Sequence, residues 1–356
     1  MQFIFNNNEE IENIETKKCV FVDGTSTLID INKDLELSHW IPNNTQDIYK
    51  AATSTQICFN YVKLNDLSNY DCVINNHVDV DGILSAFVIM FSKVSLKYEA
   101  IISGASMMGD FSAYGPYDVS HFYIHLGEEI KKYQSLKIDS QQIFEKCFLF
   151  IKDYFLDKKY VYDEYAKKSI DELENSLNLV KNNKIQRVLQ NDLFSSYFIP
   201  FELTKLYDKS PIYKAGFDFG LDIKQLLPMQ ILNYFDFERQ KLLIVENEEG
   251  SYFYDCLLPD YLWAETSALY RTKGVSSTDS TNVHLFENSK LLEAQKLLQK
   301  AEKNQGLWEL ATTFHPFSSI KGRGFPVVLS FMNEGKVAPS SNKPNFVIGL
   351  LEGVWA

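Results

Sequence analysis

Short apolar runs alternating with polar, turn-forming stretches mark out the first hundred residues. CVFVDGT (19–25) is an apolar run closing on Asp-Gly, the pattern of a strand entering a turn. YDCVINN (70–76) reads as another strand. Between them, a loop with Pro42 and paired asparagines leads into a helix expected over 45–62. GILSAFVIMFSKV (82–94) is apolar nearly all round and predicts a buried helix. YEAIISG (98–104) predicts a further strand, and the order strand, helix, strand suggests a right-handed parallel unit.

From about 121 to 206 the pattern turns helical. Ile170, Leu173, Leu177 and Val180 keep one face, while Asp171, Glu172, Glu174 and Lys181 cover the other. Residues 207–240, broken by Pro211, Gly216, Gly220 and Pro228, yield no assignment. LLIVENEEGSYFYDCLL (242–258) predicts a hairpin turning at Glu248, Glu249 and Gly250. KLLEAQKLLQKAEK (290–303) predicts an amphipathic helix; GFPVVLSF (324–331) and FVIGLLEGVW (346–355) predict closing strands. The expected fold class is α/β. A parallel-sheet domain fills 1–206, its helical region starting near 121, and a smaller α+β domain fills 207–356.

Composition narrows the partners. The formal net charge of −12 excludes broad binding to a nucleic-acid backbone, which needs basic surface. It leaves room for a small anionic substrate, because a bound metal supplies positive charge locally. The five cysteines (Cys19, Cys58, Cys72, Cys147, Cys256) are scattered and form no CxxC pair, as in a reduced intracellular protein with buried thiols. The N-terminus lacks the basic and apolar regions of a secretory signal, and no apolar run is long enough to span a bilayer. A cytoplasmic location is expected, with no membrane partner; the sequence does not give the oligomeric state.

The chemistry concentrates in NNHVDVDGILSAF (75–87). His77, Asp79 and Asp81 alternate, so an extended backbone turns all three to one side. Two carboxylates and an imidazole held that close call for a neutralising cation. Oxygen ligands with one nitrogen suit Mn, Mg or Fe(II). A plain capped turn is the bland alternative; it would use one aspartate, stabilising by about 1 kcal/mol, and has no need of His77.

The pattern His-x-Asp-x-Asp-Gly between a strand and a helix resembles the first motif of the DHH phosphoesterase superfamily. Those are two-domain, metal-dependent hydrolases of phosphodiesters, phosphoanhydrides and polyphosphate, usually with two manganese ions. The resemblance implies that His77, Asp79 and Asp81 bind Mn²⁺ (or Mg²⁺), with Ser85 facing the loop from the helix. Asp110, in GASMMGDF (104–111), is the best match for a further metal-binding aspartate after the next strand. The Asp-His-His triplet is absent, Asp118 and His121 being the nearest substitute, and the glycine-rich histidine signature of the second domain is missing. LSHWIPNNT, TSTQICFNY, NNHVDVDG and the GDF tripeptide also resemble a group of uncharacterised bacterial proteins, over most of the first 115 residues. DVDGIL (79–84) is similar, too, to the nucleophile loop of haloacid-dehalogenase-type phosphatases, although the polar Asn75, Asn76 and His77 interrupt the strand expected there.

The remaining histidines divide. His39 is read as packing against Trp40, with a contact to the ligands or the substrate as the alternative. His121 and His125, at i, i+4 on a helix, have a spacing that can chelate metal but are read as helix surface or core. His315, Lys321 and Arg323 form a cationic loop, suited to clamping a phosphate or carboxylate or equally to serving as a solvated connection between strands. His284 gives no signal, and no G-x-S-x-G elbow is present. The expected function is metal-dependent hydrolysis of a small phosphorylated or nucleotide substrate. A non-catalytic metal- or nucleotide-binding protein on the same scaffold is the alternative.

Overall fold

In the computed structural model, which describes residues 1–7, 14–156, 161–214, 219–221, 223–248, 250–265, 289–311 and 320–355, the chain divides into two units. One takes in Met1–Ile170 and Ala264–Tyr270, the other Asp171–Trp263 and Arg271–Ala356.

The first unit is built on four parallel strands, β1 (Gln2–Phe5), β2 (Cys19–Val22), β3 (Leu35–Leu37) and β4 (Cys72–Asn75), in the order β1-β4-β2-β3. β2 and β4 are central and buried at every residue, which is why they read as continuous apolar runs. Its helices are α1 (Ser54–Leu64), α2 (Val80–Met90), α3 (Ser92–Ser95), α4 (Glu99–Phe111), α5 (Tyr117–Ser135) and α6 (Ser140–Leu156). The division between the units falls inside α7 (Asp163–Lys181). α2 packs on β1, β2, β4, α1, α4 and α6. Ten of its eleven residues are buried, the physical reason it is apolar all round. α6 covers β1 through stacked rings, Phe144 lying 4.5 Å from Phe3 between centroids.

The second unit holds a mixed sheet of β5 (Gln186–Leu189), β6 (Phe194–Ile199), β7 (Gln240–Glu246), β8 (Tyr252–Leu257), β9 (Leu307–Leu310), β10 (Val327–Asn333) and β11 (Lys336–Val337). The order is β11-β10-β8-β7-β6-β5, with β9 also on β10; β6 and β7 are parallel and the other pairs antiparallel. Among the described residues α8 (Phe201–Leu206), α9 (Met229–Asp236), α10 (Ser289–Ala301) and α11 (Pro344–Val354) accompany it.

The α/β class, the N-terminal parallel sheet, the helical middle and the C-terminal sheet with helices are as expected. Several elements differ. Residues 98–104 are not a strand: Tyr98 precedes α4 and Glu99 opens it, and the buried Ile102, Ala105, Ser106 and Met108 follow helical spacing. The partners of β4 therefore precede it in sequence, and among the described residues no strand follows α2 into the sheet. Residues 346–355 are not a strand either. They lie mostly in α11, started by Pro344 in its first turn, with Val347 and Leu351 buried one turn apart. The helix expected over 45–62 begins only at Ser54, where Thr53 caps it. The helical middle ends at Lys181, and the antiparallel β5–β6 pair occupies 186–199. All five cysteines are buried and free, as expected.

Candidate metal centre

Three parallel strands deliver polar side chains at their C-terminal ends, the edge where loops of such sheets converge. β2 is followed by Asp23, β3 by His39, and β4 by His77, Asp79 and Asp81. Asp23 has φ 52°, a left-handed conformation that costs a non-glycine residue energy and clusters at functional sites. Gly24 continues it at φ 79°; a Cβ there would stand 2.3 Å from Asn76 Oδ1. Asp79 caps α2, its Oδ1 accepting from the Gly82 amide at 2.7 Å. A Cβ on Gly82 would press within 2.9 Å of Asn75 Nδ2 and 3.0 Å of Asp79 Oδ1, so the close approach needs glycine. α4 brings Asp110 in its last turn.

Both imidazoles are anchored by Nδ1 and turn Nε2 to the carboxylates. His39 Nδ1 donates to the Ala52 carbonyl at 2.7 Å; its Nε2 lies 3.5 Å from Asp23, 3.7 Å from Asp81 and 3.3 Å from Asp110. His77 Nδ1 donates to Asn76 Oδ1 at 2.8 Å; its Nε2 lies 2.9 Å from Asp23 and 3.0 Å from Asp79. Polar groups that hold the far nitrogen in this way are typical of ligating histidines. The N-terminus of α1 grips Asp81, the amides of Ser54 and Thr55 donating at 2.8 and 3.0 Å. Ser54 Oγ donates to Asp23 Oδ1 at 2.9 Å. Asn75 ties the edge together, donating to the Val22 carbonyl and accepting from the His77 amide, both at 2.9 Å. A late segment braces the wall: the Glu265 amide donates to the His39 carbonyl at 2.6 Å, and its carboxylate holds Lys50 at 2.9 Å and Asn43 at 2.8 Å.

Four carboxylates and two imidazoles thus share one cluster of the first unit, and several of them shift one another's titration. Burial alone would raise the Asp23 carboxyl, but the charge of His77 and the hydrogen bond of His39 drive it well below the usual carboxylate range. Burial would lower His77, yet Asp79 and Asp23 push it up to about 11. His39 is raised against its burial by Asp23 and Asp81. Asp81 goes up to about 6 through burial and the Asp23 charge. Asp110 goes well above its ordinary value through burial and the charges of Asp81, Asp79 and Asp23. Asp23 Oδ2 and Asp110 Oδ2 are buried yet accept no hydrogen bond of regular geometry from a described residue. Two sets of three have ligand atoms within 4.8 Å of one another, Asp23–His77–Asp79 and Asp23–His39–Asp81. These oxygen-rich sets fit a hard or borderline divalent ion.

His77, Asp79, Asp81 and Asp110 are thus brought together, although Asp110 arrives on a helix and not after a strand. His39 turns its ring to Phe111 and its Nε2 to the carboxylates, and the Trp40 ring lies 5.2 Å from His77. Ser85 is buried inside the α1–α2 contact, its Oγ 3.2 Å from Thr55 Oγ1. In the second unit, Arg323 is engaged by Asp255 and Lys321 is exposed. His315 lies outside the described residues. Asp118 is exposed on α5. Sequence reasoning missed Asp23, Ser54 and Thr55. An apolar run ending in Asp-Gly, beside a second ending in Asn-Asn-His, was the available sign for Asp23.

Residues 3–123 match the model of a family of unknown function, DUF6687. The match contains all six residues of the cluster. No curated protein and no solved structure matches the chain.

Proposed function

We propose that the chain is a metal-dependent phosphoesterase acting on a small phosphorylated or nucleotide substrate. The observation that carries this reading is the convergence of Asp23, Asp79, Asp81, Asp110, His39 and His77 at the C-terminal edge of a parallel sheet. The resemblance of His77-x-Asp79-x-Asp81-Gly82 to the first DHH motif supports it independently. Asp23 with His77 and Asp79, and Asp23 with His39 and Asp81, are the residues that would hold Mn²⁺ (or Mg²⁺). A bound ion of this kind polarises phosphoryl oxygens and lowers the pKa of water. The chain's own residues do the rest. Asp81 and His39 are fully buried and pinned at the back by the α1 amides and the Ala52 carbonyl. His77 and Asp79, 28% and 32% exposed, line the open side by which a substrate would enter.

The test uses the full-length protein, stripped by chelator and reloaded with Mn²⁺ or Mg²⁺, on bis-p-nitrophenyl phosphate and a panel of nucleotides. Asp79→Ala and Asp81→Ala are expected to lose bound metal and to lower turnover by about 10³-fold, the scale of losing a charge-stabilising group, with the fold intact by circular dichroism. Metal bound tightly with no phosphate compound hydrolysed would favour the non-catalytic alternative. Turnover that persists in a metal-free double variant would overturn both.

A further inference from the structure

α5 carries a second polar stripe that the sheet-edge cluster does not use. His121, His125 and Glu129 follow one another at four-residue intervals on one face, and all three are buried. A helix packed between α4 and α6 ordinarily turns apolar residues inward. Here Tyr154 of α6 and the start of α7 meet the stripe. His121 Nδ1 lies 2.8 Å from Tyr154 Oη, and its Nε2 lies 3.1 Å from Asp163 Oδ1. The rings of His121 and His125 are 4.4 Å apart between centroids. Ligand atoms of His121, His125 and Asp163 all fall within 4.8 Å of one another. Further along, Glu129 accepts from Tyr162 at 2.9 Å and pairs with Lys132 at 3.0 Å, so its charge is already answered.

We propose that His121, His125 and Asp163 form a separate site for a transition-metal dication, of which Zn²⁺ fits the donors best. Two imidazoles and one carboxylate are a nitrogen-rich set, unlike the oxygen-rich sheet-edge cluster, and are characteristic of zinc. Ligands about 2.1 Å from a tetrahedral ion stand roughly 3.4 Å apart, and the present ligand atoms all lie within 4.8 Å of one another. Tyr154 holds the Nδ1 of His121 and fixes the ring with Nε2 toward Asp163, the supporting contact a ligating histidine needs. Lys167 holds the other carboxylate oxygen of Asp163 at 2.7 Å, leaving Oδ1 turned to the histidine. The Asp163 side chain is 35% exposed against 6% for His121, which gives the ion an entry and a solvent-facing fourth position. Bound there, the ion would clamp α5 to α7. This inference does not depend on the phosphoesterase reading.

The full-length protein, stripped by chelator, is titrated with Co²⁺ as a visible-spectrum probe and then with Zn²⁺ as competitor. The wild type is expected to show the ligand-field bands of a low-coordinate cobalt site, bleached by stoichiometric Zn²⁺. His125→Asn and Asp163→Asn are each expected to weaken Zn²⁺ binding at least about tenfold and remove the bands. The Asp79→Ala/Asp81→Ala double variant keeps them, so failure here and failure at the sheet edge are told apart. Wild-type Zn²⁺ affinity in Asp163→Asn overturns the proposal even where His125→Asn does not fold. So does a wild type without cobalt bands, or bands lost only in the sheet-edge variant.

Discussion

Asp23 and Lys241 show what single residues bear in this chain. Asp23 holds a left-handed backbone angle so that its carboxylate can serve two imidazoles at once. Lys241, on β7, is wholly buried and donates no hydrogen bond to a described residue. Burial pushes it down to about 8, against the pull of Asp260 and Asp236. Below pH 8 the folded and unfolded chains both carry its proton, and the folded state bears the desolvation cost in full. Between about 8 and 10.5 the unfolded chain binds more protons, so stability rises with pH. Lys241→Met is expected to be the more stable protein at pH 7, with the gap narrowing by roughly 2–3 kcal/mol toward pH 10. Urea midpoints of both proteins at the two pH values measure it, and an unchanged gap would refute it. At this scale the sequence was legible where ligands crowd one short stretch, as with His77, Asp79 and Asp81. Asp23 and His39 follow other strands and meet that stretch only through parallel pairing; the Asp-Gly ending of its run marked Asp23, but no local pattern marked His39.

Among the elements, α1 does more than fill space. Thr53 and Gln56 cap it reciprocally, and its first two amides hold Asp81. Thr53 Oγ1 also meets Ser106 Oγ of α4 at 2.8 Å, joining two helices that border the cluster. Thr53→Ala is therefore expected to cost about 1–2 kcal/mol in chemical denaturation and to weaken metal binding at the sheet edge, read by calorimetric titration. A variant with unaltered metal affinity would show that the α1 amides hold Asp81 without the cap. The elements misread from sequence have a common cause. The segments 98–104 and 346–355 are short apolar windows in which helix and strand patterns coincide. Only the longer spacing, such as Val347 to Leu351 or Ile102 through Met108, separates them.

For the whole molecule, each unit has its own sheet and core, and among the described residues no helix is long and apolar enough to cross a membrane. Metal binding confined to the first unit should raise its unfolding temperature and leave the second transition in place. At a hundred times Kd the stabilisation is about 2.7 kcal/mol, and calorimetry with Mn²⁺ against EDTA reads it. A single transition unmoved by Mn²⁺ would count against the sheet-edge site. The path of the chain carries one more lesson, through Glu265. This glutamate sits far beyond Ile170 in the sequence yet props the loops around Lys50, Asn43 and His39. The two units are consequently entwined along the polypeptide rather than strung end to end. An expression fragment halted at Ile170 would retain every candidate ligand of the sheet edge and still lose the strut that steadies one of its histidines.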